Sequence, residues 1–226
     1  MHSSTMRSRR RRSALTVSGA AALLVAAPLL TACGDDAHPG AAATLGGERI
    51  SMGLLQSKVN AVRDAQREAP QSEEMIKGSG QLTRATLDNL IRYRIVTKAA
   101  KDAGVSVTRR EVGEARGQLE KQAGGAKKLE EALLQQQAIA PGEIDDRLRM
   151  QLAVDKIAKA EGVDPSSQER NKALEAKFAE TSKAMDIHVN PRYGKWDSKQ
   201  SVLGNLDEPW LRDLSGRQAD RQQQQL

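Results

Sequence analysis

The stretch RATLDNLIRYRIVTKAAKDAGVSVTRREV, residues 84–112, decides how this chain is read. Leu87, Ile91, Ile95 and Ala99 recur at helical spacing, and Leu90, Val96 and Ala103 widen the apolar stripe. Thr83 or Thr86 is placed to cap the helix, and Gly104 is placed to end it near residue 103. After VSV, Thr108 and Glu111 stand three apart as a capping box. Val107 and Val112 are spaced as the hydrophobic staple around it. Two helices meeting at a short, well-signalled connection define a helical domain.

Working outward, the same periodicity repeats. Upstream, Gly46-Gly47 between Thr44-Leu45 and Glu48-Arg49-Ile50 predicts a small hairpin. Ser51 caps a helix whose apolar face carries Leu55, Val59 and Val62, with Leu54 and Ala65 beside them. Residues 69–80, APQSEEMIKGSG, break the pattern. Downstream, a helix runs from Thr108 through Ala115 and Leu119 to Gly124-Gly125, and a shorter one over 126–137 carries Leu129, Leu133 and Leu134. Pro141 marks a first helical turn. Residues 142–161 then show two stripes: Ile144, Leu148 and Leu152 on one side, and Met150, Val154 and Ile157 on the other. Either two neighbours inside the domain or an external partner would account for both. The last helix starts near Asp164-Pro165, with Leu174, Phe178 and Met185 on one face. Ile187 and Val189 alternate with polar neighbours as a short strand does. From residue 198 to 226 the chain reads as a polar tail, expected to be disordered beyond about Leu211.

The chain of 226 residues is only 2% aromatic, so its core must be aliphatic. That favours helix packing over a large sandwich or barrel. The formal charge of +6 invites a nucleic-acid reading, but Arg7 and Arg9–Arg12 cluster ahead of an apolar run. Without these five, positive and negative residues nearly balance, and global charge gives nucleic-acid binding no support.

That basic cluster and the apolar run at 14–30 have the form of a secretory signal, and Leu30, Thr31, Ala32 and Cys33 match a bacterial lipobox. The pattern implies cleavage before Cys33, whose thiol then carries lipid. Residues 33–42 become a polar tether, and the protein sits lipid-anchored on the extracytoplasmic face of the cell membrane. Cys33 is the sole cysteine, so the mature chain has neither a disulfide nor a thiol nucleophile. General secretion is the default route, with Arg11-Arg12 leaving twin-arginine export open.

The form A-x-L-G-G-E-R-I-S, then L-x-x-L-I-x-x-x-x-V-x-x-A-A-K-x-A-G-V-x-V-T, then a Thr-capped E-V pair resembles the SurA/PrsA-like N-terminal chaperone domain family. Leu87, Leu90, Ile91, Val96, Ala99, Ala100, Ala103, Gly104, Val105, Val107, Thr108, Glu111 and Val112 carry the match. The likeness covers roughly residues 43–197, strongest over 84–112, and NPRYGKWD at 190–197 resembles the segment that returns after the helices. It implies a mainly α fold in which a late strand pairs with the early hairpin. It further implies a chaperone-like role toward unfolded or partly folded secreted proteins. Many members insert a parvulin-type prolyl isomerase domain, for which this chain has neither the length nor the histidines. The expectation is therefore a chaperone-like protein that is not an enzyme.

The chemistry-bearing residues agree with that expectation. His38 and His188 have no Cys or His at ligand spacing, so no metal or other cofactor is expected. Glu73-Glu74, Glu130-Glu131 and Asp145-Asp146 read as solvated helix faces, and Gly46-Gly47 lacks the Lys-Ser/Thr of a phosphate loop. Leu55, Val59, Tyr193 and Trp196 are the candidate client-binding residues. For Tyr193 and Trp196 the alternative is packing of the returning strand on the helices. The alternative function is a structural or interaction lipoprotein gripping one dedicated envelope partner.

Overall fold

The computed structural model describes residues 40–70, 72–77, 81–164, 166–167 and 169–205. All of them belong to one compact unit, Asp36–Leu226. The leader, the lipobox with Cys33, most of the tether and the tail from residue 206 lie outside the described residues.

Gly46 and Gly47 both take positive φ, at 54° and 84°, which lets a two-residue turn join β1 (Ala41–Leu45) to β2 (Glu48–Ser51). Ala43 faces Ile50 and Thr44 faces Arg49 across this hairpin, and a register shift lies between Ala41 and Ala43. Ser51 then caps α1 (Met52–Glu68), its hydroxyl accepting from the Leu54 N–H at 3.1 Å.

A short helix, α2 (Ser72–Lys77), interrupts the segment expected to be irregular. Glu73 and Glu74 in its first turn and Lys77 in its last complement the helix dipole. α3 (Leu82–Asp102) starts two residues earlier than the sequence suggests. Neither threonine caps it. Gln81 precedes it with no side-chain capping bond, and the Thr86 hydroxyl instead donates back to the Leu82 carbonyl at 2.8 Å. Its C-terminus closes as expected, with the Val105 N–H donating to the Ala100 carbonyl at 2.9 Å past Gly104.

α4 (Arg109–Ala123) has its full capping box: the Glu111 N–H donates to the Thr108 hydroxyl at 3.3 Å and the Thr108 N–H to the Glu111 carboxylate at 2.8 Å. α5 (Ala126–Gln137) and α6 (Ile144–Ala160) follow, with Pro141–Glu143 as a single 3-10 turn leading into α6. α7 (Glu169–Ala184) begins later than Asp164, whose carboxylate is held in a local turn by the Ser166 N–H and hydroxyl.

The chain then returns. β3 (His188–Val189) pairs antiparallel with β1, Ala43 opposite Val189, giving a three-stranded sheet in the order β2-β1-β3. The expected closure of the two ends of the domain is therefore present. It continues further than expected. β4 (Lys195–Asp197) and β5 (Val202–Gly204) form a second hairpin that crosses residue 197, where the sequence reading placed the domain end.

Three apolar clusters hold these elements. The largest gathers Leu45, Ile50, Leu55, Leu87, Ile91 and Ile95 with Tyr193, Trp196 and Leu203 from the returning segment. A second joins Val96 and Ala99 of α3 to Ala153, Ile157 and Ala158 of α6 and Leu174 of α7. The third packs Val112 against Ile144 and Leu148. Each fully buried Leu or Ile contributes about 1.5–3 kcal/mol. Both stripes of α6 thus pack within the domain, one against α4 and the other against α3 and α7, with Met150 only partly buried.

Candidate functional site

Two faces of α1 and α3 do different work. On α1, Leu55 and Val59 turn into the core while Leu54 and Lys58, one position before each, point elsewhere. On α3, Leu87, Ile91 and Ile95 are buried, and Thr86, Leu90 and Tyr93 form a separate, half-buried row. These outer rows face each other across a cleft of about 430 Å³. Ala138 and Ile139 from the end of α5 and Met150 from α6 complete its apolar lining.

The rim is charged. Lys58 Nζ bridges to both Glu143 carboxylate oxygens at 2.6 and 2.8 Å, joining α1 to the entrance of α6. Arg94 reaches Glu48 at 3.5 Å, and Asp146 pairs with Arg149 at 2.7 Å. Arg147 is exposed and has no acid partner among the described residues. A shallower hollow of about 470 Å³ adjoins the cleft, sharing Gln137 and Ala138 with it. α2 and the start of α3 form its far side.

The four residues named from sequence as client contacts do not line this cleft. Leu55 and Val59 are 0% and 1% exposed, and Tyr193 and Trp196 are each 7% exposed, all within the largest core cluster. The correction has a simple cause. An apolar stripe shows that a face is covered, but not whether chain or client covers it. Tyr193 donates its hydroxyl to the Met52 sulfur at 3.4 Å, and the Trp196 indole N–H donates to the Ser182 hydroxyl at 2.7 Å. Packing of the returning segment is their role here. Leu54 and Leu90, which the sequence reading placed at the flanks of the stripes, reach the cleft, as do Val62 and Met150, which it placed within them. Their signal was adjacency to polar positions, as with Leu54 and Lys58.

The acid pairs singled out by sequence sit in ion pairs between and along helices. Arg116 of α4 binds Glu120 at 2.8 Å, Asp145 of α6 at 2.9 Å and Glu130 of α5 at 3.2 Å. The bonds to Glu120 and Asp145 push the guanidinium pKa above its ordinary value. Glu111 is held down to about 2 by the Lys156 ammonium, then by the Thr108 N–H and hydroxyl. Lys156 also donates to the Ser106 carbonyl at 2.6 Å, so one lysine pins α6 to the entry of α4. His188 stands 3.2 Å from Asp186 beside β3. Among the described residues, no cluster of three or more His, Cys, Asp or Glu is arranged to hold a metal ion. Leu30, Thr31, Ala32 and Cys33 lie outside the described residues, as does His38.

These features define a mainly helical domain, closed by a small sheet and, among the described residues, open at an amphipathic cleft. A family model described as SurA-like N-terminal domain matches residues 4–158, and the chain belongs to that family. α7 and β3 to β5 lie beyond the matched residues. No curated protein and no solved structure gave a match. Family membership supports a chaperone-like role in the cell envelope.

Proposed function

We propose that the protein is a membrane-tethered, extracytoplasmic chaperone that holds apolar segments of unfolded secreted proteins without prolyl isomerisation. The α1–α3–α6 cleft carries this reading: it is apolar within, charged at its rim and open. Such a surface grips side chains by burial and leaves sequence largely unread, which suits a broad clientele. The role needs no catalytic group, nucleotide or metal. The lipobox at Leu30–Cys33 supports the tether, with acyl chains on Cys33 placing the module at the membrane face. The alternative, a scaffold with one dedicated partner, drew on the two stripes of α6, most of which pack against α3, α4 and α7.

The test uses residues 34–226 with an unfolding model client followed by light scattering. Suppression of aggregation is expected near stoichiometry, and Leu54→Ser with Tyr93→Ala is expected to abolish most of it while the far-ultraviolet spectrum and a cooperative melt are retained. No suppression and no peptide binding by the native form would refute the function. Full suppression by the double variant would refute the cleft.

A further inference from the structure

The segment that follows the last described residue has the composition of a client. Residues 206–214 read LDEPWLRDL, with Leu206, Trp210, Leu211 and Leu214 among Asp207, Glu208 and Asp213. Its point of departure is fixed. The Arg84 guanidinium binds the Asn205 side chain and, at 3.1 Å, the Leu203 carbonyl, while the Leu203 N–H donates to Asp88 at 2.9 Å. The chain therefore leaves the domain against the first turn of α3. Gln81, Leu82 and Ala85, the neighbours of Arg84, form one side of the hollow that runs on into the cleft through Gln137 and Ala138.

Reach and charge both fit. Trp210 to Leu214 stand five to nine residues past Asn205, a span of about 17–30 Å when extended. From Arg84 to Leu90 the helix advances only about 9 Å. The segment carries three acids and one arginine; of the rim cations Lys58, Arg94 and Arg147, set beside Glu143 and Asp146, Arg147 has no acid partner among the described residues. We propose that residues 206–214 occupy the α1–α3–α6 cleft in cis, Trp210 and Leu211 against Leu54, Leu90 and Tyr93, and so compete with client. This rests on the client-binding reading of that cleft. A segment tethered this closely has an effective concentration on the order of millimolar. With a free-peptide Kd on the order of 100 µM, the tail lowers client affinity about tenfold.

Two forms, residues 34–226 and 34–205, are compared by fluorescence anisotropy with a labelled apolar model peptide. The shorter form should bind about tenfold more tightly, as should the Trp210→Ser, Leu211→Ser variant of the longer one. The synthetic peptide 206–214 should bind the shorter form with a blue shift of its Trp210 emission and displace the model peptide. Equal affinities together with no binding of 206–214 would overturn the proposal and leave the client-binding reading standing. If neither form binds the model peptide, the client reading fails, and the emission of peptide 206–214 alone then decides whether the cleft takes the tail. A difference between the forms that vanishes on dilution would place the tail in a second copy and overturn occupancy in cis.

Discussion

Replacing Ser182 by alanine and Trp196 by phenylalanine, singly and together, isolates the bond that fastens the returning hairpin to α7. The indole N–H and the serine hydroxyl meet at 2.7 Å, with Ser182 at 0% and Trp196 at 7% exposure. Removing one partner leaves the other buried and unpaired, a cost of about 1–3 kcal/mol. Trp196→Phe adds the loss from a smaller ring, about 1 kcal/mol more. The double variant removes both polar groups, so it should be less destabilised than the sum of the singles by about 1–2 kcal/mol. At about 2–4 °C per kcal/mol for a domain of this size, that discrepancy corresponds to several degrees in Tm. Urea unfolding followed by far-ultraviolet circular dichroism gives each value without relying on tryptophan emission. Additive effects, with a coupling below about 0.3 kcal/mol, would refute the bond. Negligible effects from both singles would detach the hairpin from the core altogether.

Two further outcomes follow from single residues. The Glu111 carboxylate, held at about 2 against an ordinary 4.5, stabilises the folded state above pH 4.5 and loses that contribution as pH falls toward 2. Glu111→Gln should therefore lower the urea midpoint at pH 7 and flatten its decline across that acid window, and parallel pH profiles for the two proteins would contradict this. Gly194 sits at φ 122° and ψ −161°, a region almost confined to glycine, and an added Cβ would collide with the Gly204 carbonyl oxygen. Gly194→Ala should cost at least about 1–3 kcal/mol by differential scanning calorimetry. An unchanged Tm would mean that the β4–β5 hairpin does not pack as described.

How much of this was legible depended on the range of the interaction. The Thr108–Glu111 box, the Ser51 cap and the Gly104 terminus are settled within four residues, and each stands where the sequence puts it. α2 was hidden because Gly78-Ser79-Gly80 dominates the composition around SEEMIK. β5 was hidden because three residues, VLG, carry no readable alternation on their own. The Trp196–Ser182 bond, spanning a turn and a strand, leaves no local mark. The site was less legible than the fold. Leu55 and Val59 are apolar residues expected beside a groove, yet they belong to a regular stripe, which a domain covers first. The cleft uses the mixed row, Leu54 and Lys58 on α1 with Thr86, Leu90 and Tyr93 on α3, whose half-buried state only the assembled fold displays.

α3 explains how one module can be both firmly closed and open at a cleft. Its buried row, Leu87, Ile91 and Ile95, anchors the largest core. A second row, Arg84 and Asp88, takes the backbone of β5 through directed hydrogen bonds, which fixes the returning segment in register. The third row forms one wall of the cleft. That wall is braced on its other sides by the core and by β5, and the opposite wall lies where α5 leads into α6. Across that mouth the Lys58–Glu143 pair links α1 to the entrance of α6, and both side chains are nearly a third exposed, at 28% and 29%. An ion pair so placed is worth no more than about 1 kcal/mol. Opening it is therefore cheap beside the burial of even one leucine, about 1.5–3 kcal/mol. On the proposed client-binding reading, widening the cleft at this pair costs less than burial of one apolar side chain returns, which would favour binding many clients weakly over one tightly.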